Sequence, residues 1–248
     1  METQRTIYSA TLRAKTLLSA RAQTWHLEFE CAQPFDFLPG QFLSVLAERR
    51  YPAGHLKAGQ TRQDTRAYSL ANAPEGKRIE LCLNRVSGEA ERGFFSNLLC
   101  DLQIGESIRF HGPHGDFVLR EQNSRVVFGV HDTGIAPVRA MVQAINANGF
   151  AADAEFWLVQ ASANEGDLYY SDFFESVAAA HARFHYLPVI AADDPGARLA
   201  EAVLRVASTK NAPQQAYLCG LNEAIAPPRA ALKALGWERR QIVFERYD

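Results

Sequence analysis

Between Thr24 and Glu30 the chain alternates. Trp25, Leu27 and Phe29 fall on one face and Thr24, His26 and Glu28 on the other, the period-two pattern of a half-buried strand. The turn signal Pro39-Gly40 follows, then an apolar run over 42–46 suited to a barrel strand. Residues 66–70, 79–83 and 107–111 read as further short strands, and 98–102 as part of a short helix that plugs the barrel. Short strands punctuated by Gly and Pro predict a small antiparallel β-barrel. From Arg125 the pattern changes. Strand-like runs at 125–130, 155–160, 184–190, 215–219 and 241–245 alternate with helical spacing at 137–148, 172–182, 197–207 and 222–235. Such alternation predicts a parallel sheet with helices on both faces. The expected fold is therefore two-domain: an antiparallel β-barrel over 1–120, then an α/β parallel-sheet domain over 121–248.

A chain of 248 residues accommodates two domains of ordinary size. A hydrophobic content of 47% and a charged content of 22% suit a soluble globular enzyme, and a net charge of −2 points to neither nucleic acid nor an anionic membrane. No apolar run approaches the ~20 residues needed to span a bilayer. Residues 1–20 carry scattered charges and lack the apolar core of a signal peptide, so a cytoplasmic protein is expected. Cys31, Cys82, Cys100 and Cys219 are too dispersed for an iron–sulfur centre, and any such centre must sit on a separate protein. Structural disulfides are not expected in a reducing compartment.

The stretch Arg66-Ala67-Tyr68-Ser69-Leu70 carries the first candidate chemistry. On a strand Arg66 and Tyr68 share one face and Ser69 takes the other. A guanidinium forks onto phosphate, a phenol ring offers a flat stacking face, and a hydroxyl adds one hydrogen bond. Together they suit a planar heterocycle with a phosphate nearby; an ordinary barrel strand is the alternative. Gly93-Phe94-Phe95-Ser96 reads as a helix start, where backbone amides attract an anion. Thr133-Gly134 opens a helix after the first strand of the second half, where dinucleotide phosphates bind in open α/β sheets. Cys219 falls at a strand end, either at a ligand or as a small buried residue. Residues 48–65 read as a long polar loop with Arg49, Arg50, Lys57 and Arg62, either a docking surface for an acidic partner or a solvated insertion.

Six motifs, in order, resemble the ferredoxin–NADP reductase superfamily: Arg66-x-Tyr68-Ser69, the 93–97 turn, the 112–117 turn, the 133–137 helix start, Cys219-Gly220-Leu221 and the ending Glu245-Arg246-Tyr247. The resemblance implies bound FAD, with Arg66, Ala67, Tyr68 and Ser69 at the flavin and Gly93, Phe94, Phe95 and Ser96 at its pyrophosphate. It implies NAD(P)H at Thr133, Gly134 and Cys219, with Cys219 beside the nicotinamide C4. Ser69, Cys219 and Glu245 are the implied catalytic groups, and Tyr247 covers the second flavin face. The implied activity passes hydride and electrons between NAD(P)H and a separate ferredoxin-type iron–sulfur protein or flavodoxin. Two departures stand out. Asp132 occupies the phosphate turn, where it is expected to cap the following helix. Ala191-Ala192-Asp193-Asp194 replaces the Ser-Arg of NADP-using members, which leaves Ser162 and Arg198 as the candidates for a 2′-phosphate. A flavin-bearing electron-transfer subunit with weak nicotinamide use, and a non-catalytic binding module on the same fold, are the competing readings.

Overall fold

The computed structural model describes residues 6–51, 54–86, 93–120, 125–150, 154–207 and 214–247. The chain divides into two compact units, Met1–Asp116 and Phe117–Asp248.

The first unit holds β1 (Tyr8–Ser19), β2 (Thr24–Cys31), β3 (Phe42–Arg50), β4 (Thr61–Ser69), β5 (Arg78–Asn84), helix α1 (Phe94–Asp101) and β6 (Ser107–His114). The strands form an antiparallel sheet in the order β4-β3-β6-β1-β2-β5. Its outer strands meet through the Leu70–Leu81 bridge, and the Ala71 amide donates to the Glu80 carbonyl at 2.8 Å. The sheet thus curls into a barrel around Leu12, Leu27, Phe29, Leu43, Val45 and Phe110, and α1 contributes Phe95 and Leu99 to this core. Burial of such side chains, about 1.5–3 kcal/mol each, is what closes the sheet on itself.

Three expectations for this half are corrected. The polar segment 48–65 is not a long loop: β3 and β4 run as a ladder from Phe42–Ser69 out to Arg50–Thr61, leaving only 51–60 as the connection. The outer part of β4 is an edge strand with both faces largely exposed, so it lacks the alternation that marks a half-buried strand. Strand β1 went unpredicted because register shifts at Leu12/Ala14 and Leu17/Ser19 break its period of two. In β2, Thr24 and His26 on the expected polar face are buried, while Leu27 and Phe29 are core as expected.

The second unit runs β7 (Arg125–His131), a 3-10 turn (Asp132–Gly134), α2 (Ile135–Asn148), β8 (Glu155–Ser162), α3 (Ser171–Ala180), β9 (Phe184–Ile190), α4 (Pro195–Val206), β10 (Gln214–Leu221), α5 (Asn222–Ala234) and β11 (Ile242–Tyr247). The sheet is parallel throughout, in the order β11-β10-β7-β8-β9. Strand β10 is buried along nearly its whole length, as a parallel strand covered on both faces must be. Leu199 and Val203 of α4 and Ile225 and Leu232 of α5 pack on Val127, Val159 and Leu218. From β7 the chain first builds outward through β8 and β9, then returns to place β10 and β11 on the other side. The order reverses between β7 and β10, and the crevice at their carboxyl ends is where open α/β sheets bind ligands. Among the described residues no helix is long and apolar enough to cross a membrane, and no group of His, Cys, Asp and Glu could hold a metal ion.

Candidate functional site

In the first unit the site is built on the β3–β4 ladder. Tyr68 pairs with Leu43, Arg66 with Val45, and Arg49 with Arg62. Since side chains alternate, Arg62, Asp64, Arg66 and Tyr68 share the face whose β3 partners, Leu43 and Val45, enter the core. Tyr68 packs against that core. Burial pushes its phenol well above the ordinary range, the Arg66 charge opposes the shift, and Cys100 of α1 adds to it. The ring is therefore a neutral, fixed surface with the exposed Arg66 guanidinium beside it. Ser69 and Ala67 take the opposite face; Ser69 is buried at the base of the ladder and Ala67 is exposed.

Helix α1 opens at Gly93 without a side-chain cap and without an acidic residue in its first turn. Its leading amides, those of Phe94 and Phe95 among them, present the partial positive charge of a helix N-terminus. Gly93 has φ −84 and ψ −1, an ordinary helical conformation, so the backbone itself does not demand glycine there. The Ser96 hydroxyl is committed inward: it donates to the Gly93 carbonyl at 3.1 Å and accepts from the Val86 amide at 3.2 Å. In this structure it shapes the turn at the head of α1. Arg49 was not singled out as a site residue. Its guanidinium lies 5.3 Å from the Phe94 ring centre and 3.8 Å from Asp64, so it ties the ladder to the head of α1. Only the register of the ladder reveals this, because Arg49 lies far from Phe94 in sequence. A guanidinium beside an uncapped helix start suits a phosphate, and the fixed phenol ring offers a flat face for stacking.

In the second unit Cys219 sits opposite Glu245 across the β10–β11 register, with Leu221 opposite Tyr247. Cys219 is fully buried. Burial, with the Glu245 charge adding to it, holds its thiol well above the ordinary value of 9.0, against hydrogen bonds from the Tyr247 side chain and the Gly220 backbone. The structure thus brings together three residues that the sequence places at two separate points; Asp248 lies outside the described residues. The Cys219–Gly220 peptide is also the surface on which Gly134 rests. A Cβ added at Gly134 would stand 2.3 Å from the Cys219 carbonyl oxygen, so glycine is required there by close approach. This contact couples the 3-10 turn holding Thr133 to the end of β10. Helix α2 then opens at Gly134 with no side-chain cap, and Pro137 falls in its first turn, where a missing N–H costs nothing.

Asp132 does not cap α2. Its Oδ1 accepts from the Ser162 hydroxyl at 2.7 Å, and Oδ2 lies 3.5 Å from His131 Nδ1. Asp132 itself has φ 47, a left-handed conformation that rotates the carboxylate toward β8. His131 is buried and its Nδ1 has no hydrogen-bond partner. The sequence shows His131 only as part of the turn that departs from the family's glycines, and Ser162 only as a candidate for a 2′-phosphate; their shared neighbour Asp132 emerges from the tertiary structure. Arg198, the other candidate for that role, is exposed at 3.5 Å from Glu201. Asp194 caps α4 by accepting from the Ala197 amide at 2.8 Å.

An oxidoreductase FAD-binding domain matches residues 9–119, and an oxidoreductase NAD-binding domain matches residues 132–227. Ferredoxin–NADP reductase B of Sorangium cellulosum is 30% identical over 238 residues, 90% of this chain and 91% of that protein. The CDP-6-deoxy-L-threo-D-glycero-4-hexulose-3-dehydrase reductase of Yersinia pestis is 36% identical over 165 residues, 62% of this chain but only 48% of that protein, so the match spans about half of its length. The ferredoxin–NADP+ reductase of Plasmodium falciparum superimposes with a TM-score of 0.77 over 96% of this chain and 95% of that one; at 16% identity this likeness concerns the fold alone. With an FAD-binding barrel ahead of a NAD-binding α/β unit, the chain belongs to the ferredoxin–NADP reductase family of oxidoreductases.

Proposed function

We propose that the protein oxidises NAD(P)H through FAD and delivers the electrons singly to a separate carrier, an iron–sulfur protein of the ferredoxin type or a flavodoxin. The observation that carries this reading is the Cys219–Glu245–Tyr247 cluster at the carboxyl edge of β10 and β11, on the same chain as the Arg66–Tyr68–Ser69 strand. The flavin, when bound, supplies acceptance of a hydride and release of its two electrons one at a time, chemistry no side chain provides. Arg66 and the amides at the head of α1 hold the diphosphate, Tyr68 holds the ring plane, and Ser69 offers a hydroxyl for its proton. Cys219, kept as a neutral thiol by burial, offers a small, soft contact for the nicotinamide, and Glu245 beside it holds or moves a proton.

One specific observation favours a second reading, a flavin-bearing electron-transfer subunit that uses nicotinamide weakly: a carboxylate, Asp132, stands in the turn before α2. Anaerobic titration of the yellow protein with NADH and with NADPH separates the two. Bleaching at near-stoichiometric nucleotide supports the reductase, whereas a flavin that only dithionite bleaches supports the subunit. A purified protein that holds no flavin after reconstitution refutes both.

A further inference from the structure

The 3-10 turn after β7 carries a charge that should obstruct an incoming diphosphate, yet the turn is built so that this charge is held to one side. Asp132 follows β7 directly and adopts φ 47, which costs energy for any residue with a Cβ, although Asp tolerates it better than most. That conformation is held by a hydrogen bond from a residue 30 positions away: Ser162, the last residue of β8, donates to Oδ1 at 2.7 Å. Strands β7 and β8 are neighbours in register, with His131 opposite Ala161, so the serine approaches from the β8 side of β7, away from the β10 side on which the crevice lies. The other oxygen faces His131 Nδ1 at 3.5 Å, beyond hydrogen-bond reach. This imidazole is about nine-tenths buried and its Nδ1 has no hydrogen-bond partner, which marks a polar position at the turn still to be satisfied. Meanwhile no side chain caps α2, and the only acidic residue of the preceding turn is Asp132 itself. The turn runs straight into α2, with the Ile135 amide donating back to the Asp132 and Thr133 carbonyls, so the helix N-terminus offered to an anion is that of the turn itself, beside a carboxylate that would otherwise compete for it.

We propose that Ser162 is a positioning residue for pyridine-nucleotide binding: by holding the Asp132 carboxylate toward β8, it keeps the turn that begins α2 open to the nucleotide diphosphate. This rests on the reading that NAD(P)H binds at the β7–α2 turn. Ser162 acts only through Asp132, so its effect exists only while position 132 is charged. A serine that merely staples two strands would lack that dependence.

The test is a set of dissociation constants for NAD+ and NADP+, measured by titration calorimetry on the flavin-loaded protein, where no turnover occurs. Ser162→Ala frees the carboxylate to swing onto the amides and is expected to weaken binding about five- to tenfold, the scale of one charge at a helix terminus. Asp132→Asn keeps an acceptor for Ser162 but removes the charge, and is expected to bind at least as tightly as wild type. The double variant should match Asp132→Asn, because with no charge there is nothing to hold aside. The loss in Ser162→Ala should also grow as salt is lowered. Ser162→Cys, with a weaker donor, should fall between and serves in place of Ser162→Ala if the latter does not fold. If wild type binds nucleotide and both Ser162 variants bind equally well, or if Asp132→Asn fails to restore binding in the Ser162→Ala background, the positioning role is overturned while the nucleotide site stands. If wild type binds neither NAD+ nor NADP+, the reading beneath it falls as well.

Discussion

Replacing Gly134 by alanine probes the contact that joins the phosphate turn to the Cys219 strand. Gly134 has φ −60 and ψ −9, values any residue adopts, so the whole effect is steric. The added Cβ would meet the Cys219 carbonyl oxygen at 2.3 Å, the Cys219 carbonyl carbon at 2.6 Å and the Gly220 nitrogen at 2.8 Å. All three are backbone atoms of β10, which is hydrogen-bonded to β7 on one side and β11 on the other, so none can rotate away. Reaching ordinary contact near ~3.5 Å requires the turn and the strand to part by roughly 1 Å. Overpacking of this kind costs about 1–3 kcal/mol, and rigid neighbours place it at the upper end. Gly134 is helical, at the junction of the 3-10 turn and α2, so alanine's better helix propensity offsets at most about 1 kcal/mol. A net loss of about 2 kcal/mol should lower the melting temperature of the second unit by roughly 8 °C. Because the displaced peptide carries Cys219, flavin reduction by NADH or NADPH should slow as well. Gly129→Ala is the softer comparison: its Cβ would meet Leu218 Cδ2 at 2.8 Å, the end of a side chain that can turn aside, and Val203 Cγ2 at 3.0 Å, with no backbone atom among its nearest neighbours. That variant should lose only about 1 kcal/mol. Calorimetric melting and anaerobic stopped-flow reduction are the assays. If Gly134→Ala melts no lower than Gly129→Ala and reduces its flavin at the wild-type rate, the turn and the strand are not rigidly joined.

Arg66→Ala should weaken FAD by about 1.5–3 kcal/mol through the lost charge-assisted bonds to phosphate; mass spectrometry of the released chromophore checks both occupancy and identity, and FMN in place of FAD refutes the assignment. Cys219→Ser should slow hydride transfer more than it weakens nucleotide binding, since alignment is disturbed rather than affinity; an unchanged stopped-flow rate returns Cys219 to a packing role. Since the Cys219 thiol is held above its ordinary value of 9.0, the folded protein retains a proton that the unfolded chain releases, so stability should fall as pH rises past that value. Cys219→Ala should flatten this decline, and urea midpoints with equal pH slopes for the two proteins would contradict the argument. Ser96→Ala removes the hydroxyl that bridges Gly93 and Val86 and should cost about 1 kcal/mol of stability, visible in urea unfolding of the first unit.

The second unit was far more legible than the first. Its strands and helices alternate, each is bounded by its own pattern, and 184–190 matches β9 end to end. A parallel strand buried on both faces shows as a plain apolar run, and a helix as a spacing of three to four, so each element announces itself within its own window. In the barrel, β1 hides its period behind register shifts, and the outer halves of β3 and β4 are an exposed ladder whose polar residues look like a loop. At the site, the motif residues were identified by type and order, but two of their contacts were not. The Ser96 hydroxyl turns inward to Gly93 and Val86, and the Asp132 carboxylate goes to Ser162 instead of the helix it precedes.

What the sequence by itself determined was the kind of each half, the order of its elements in the second half, and which residues carry chemistry. These are local properties: a period, a turn residue, a ring beside a guanidinium. Only the tertiary structure decided that β10 lies between β7 and β11, which sets Cys219 opposite Glu245 and places Gly134 against its carbonyl. It alone decided that Ser162 reaches Asp132 and that Arg49 reaches Phe94. Such partnerships follow from strand order and register, which are set when distant segments bury their apolar faces together, and no window of the chain contains both partners.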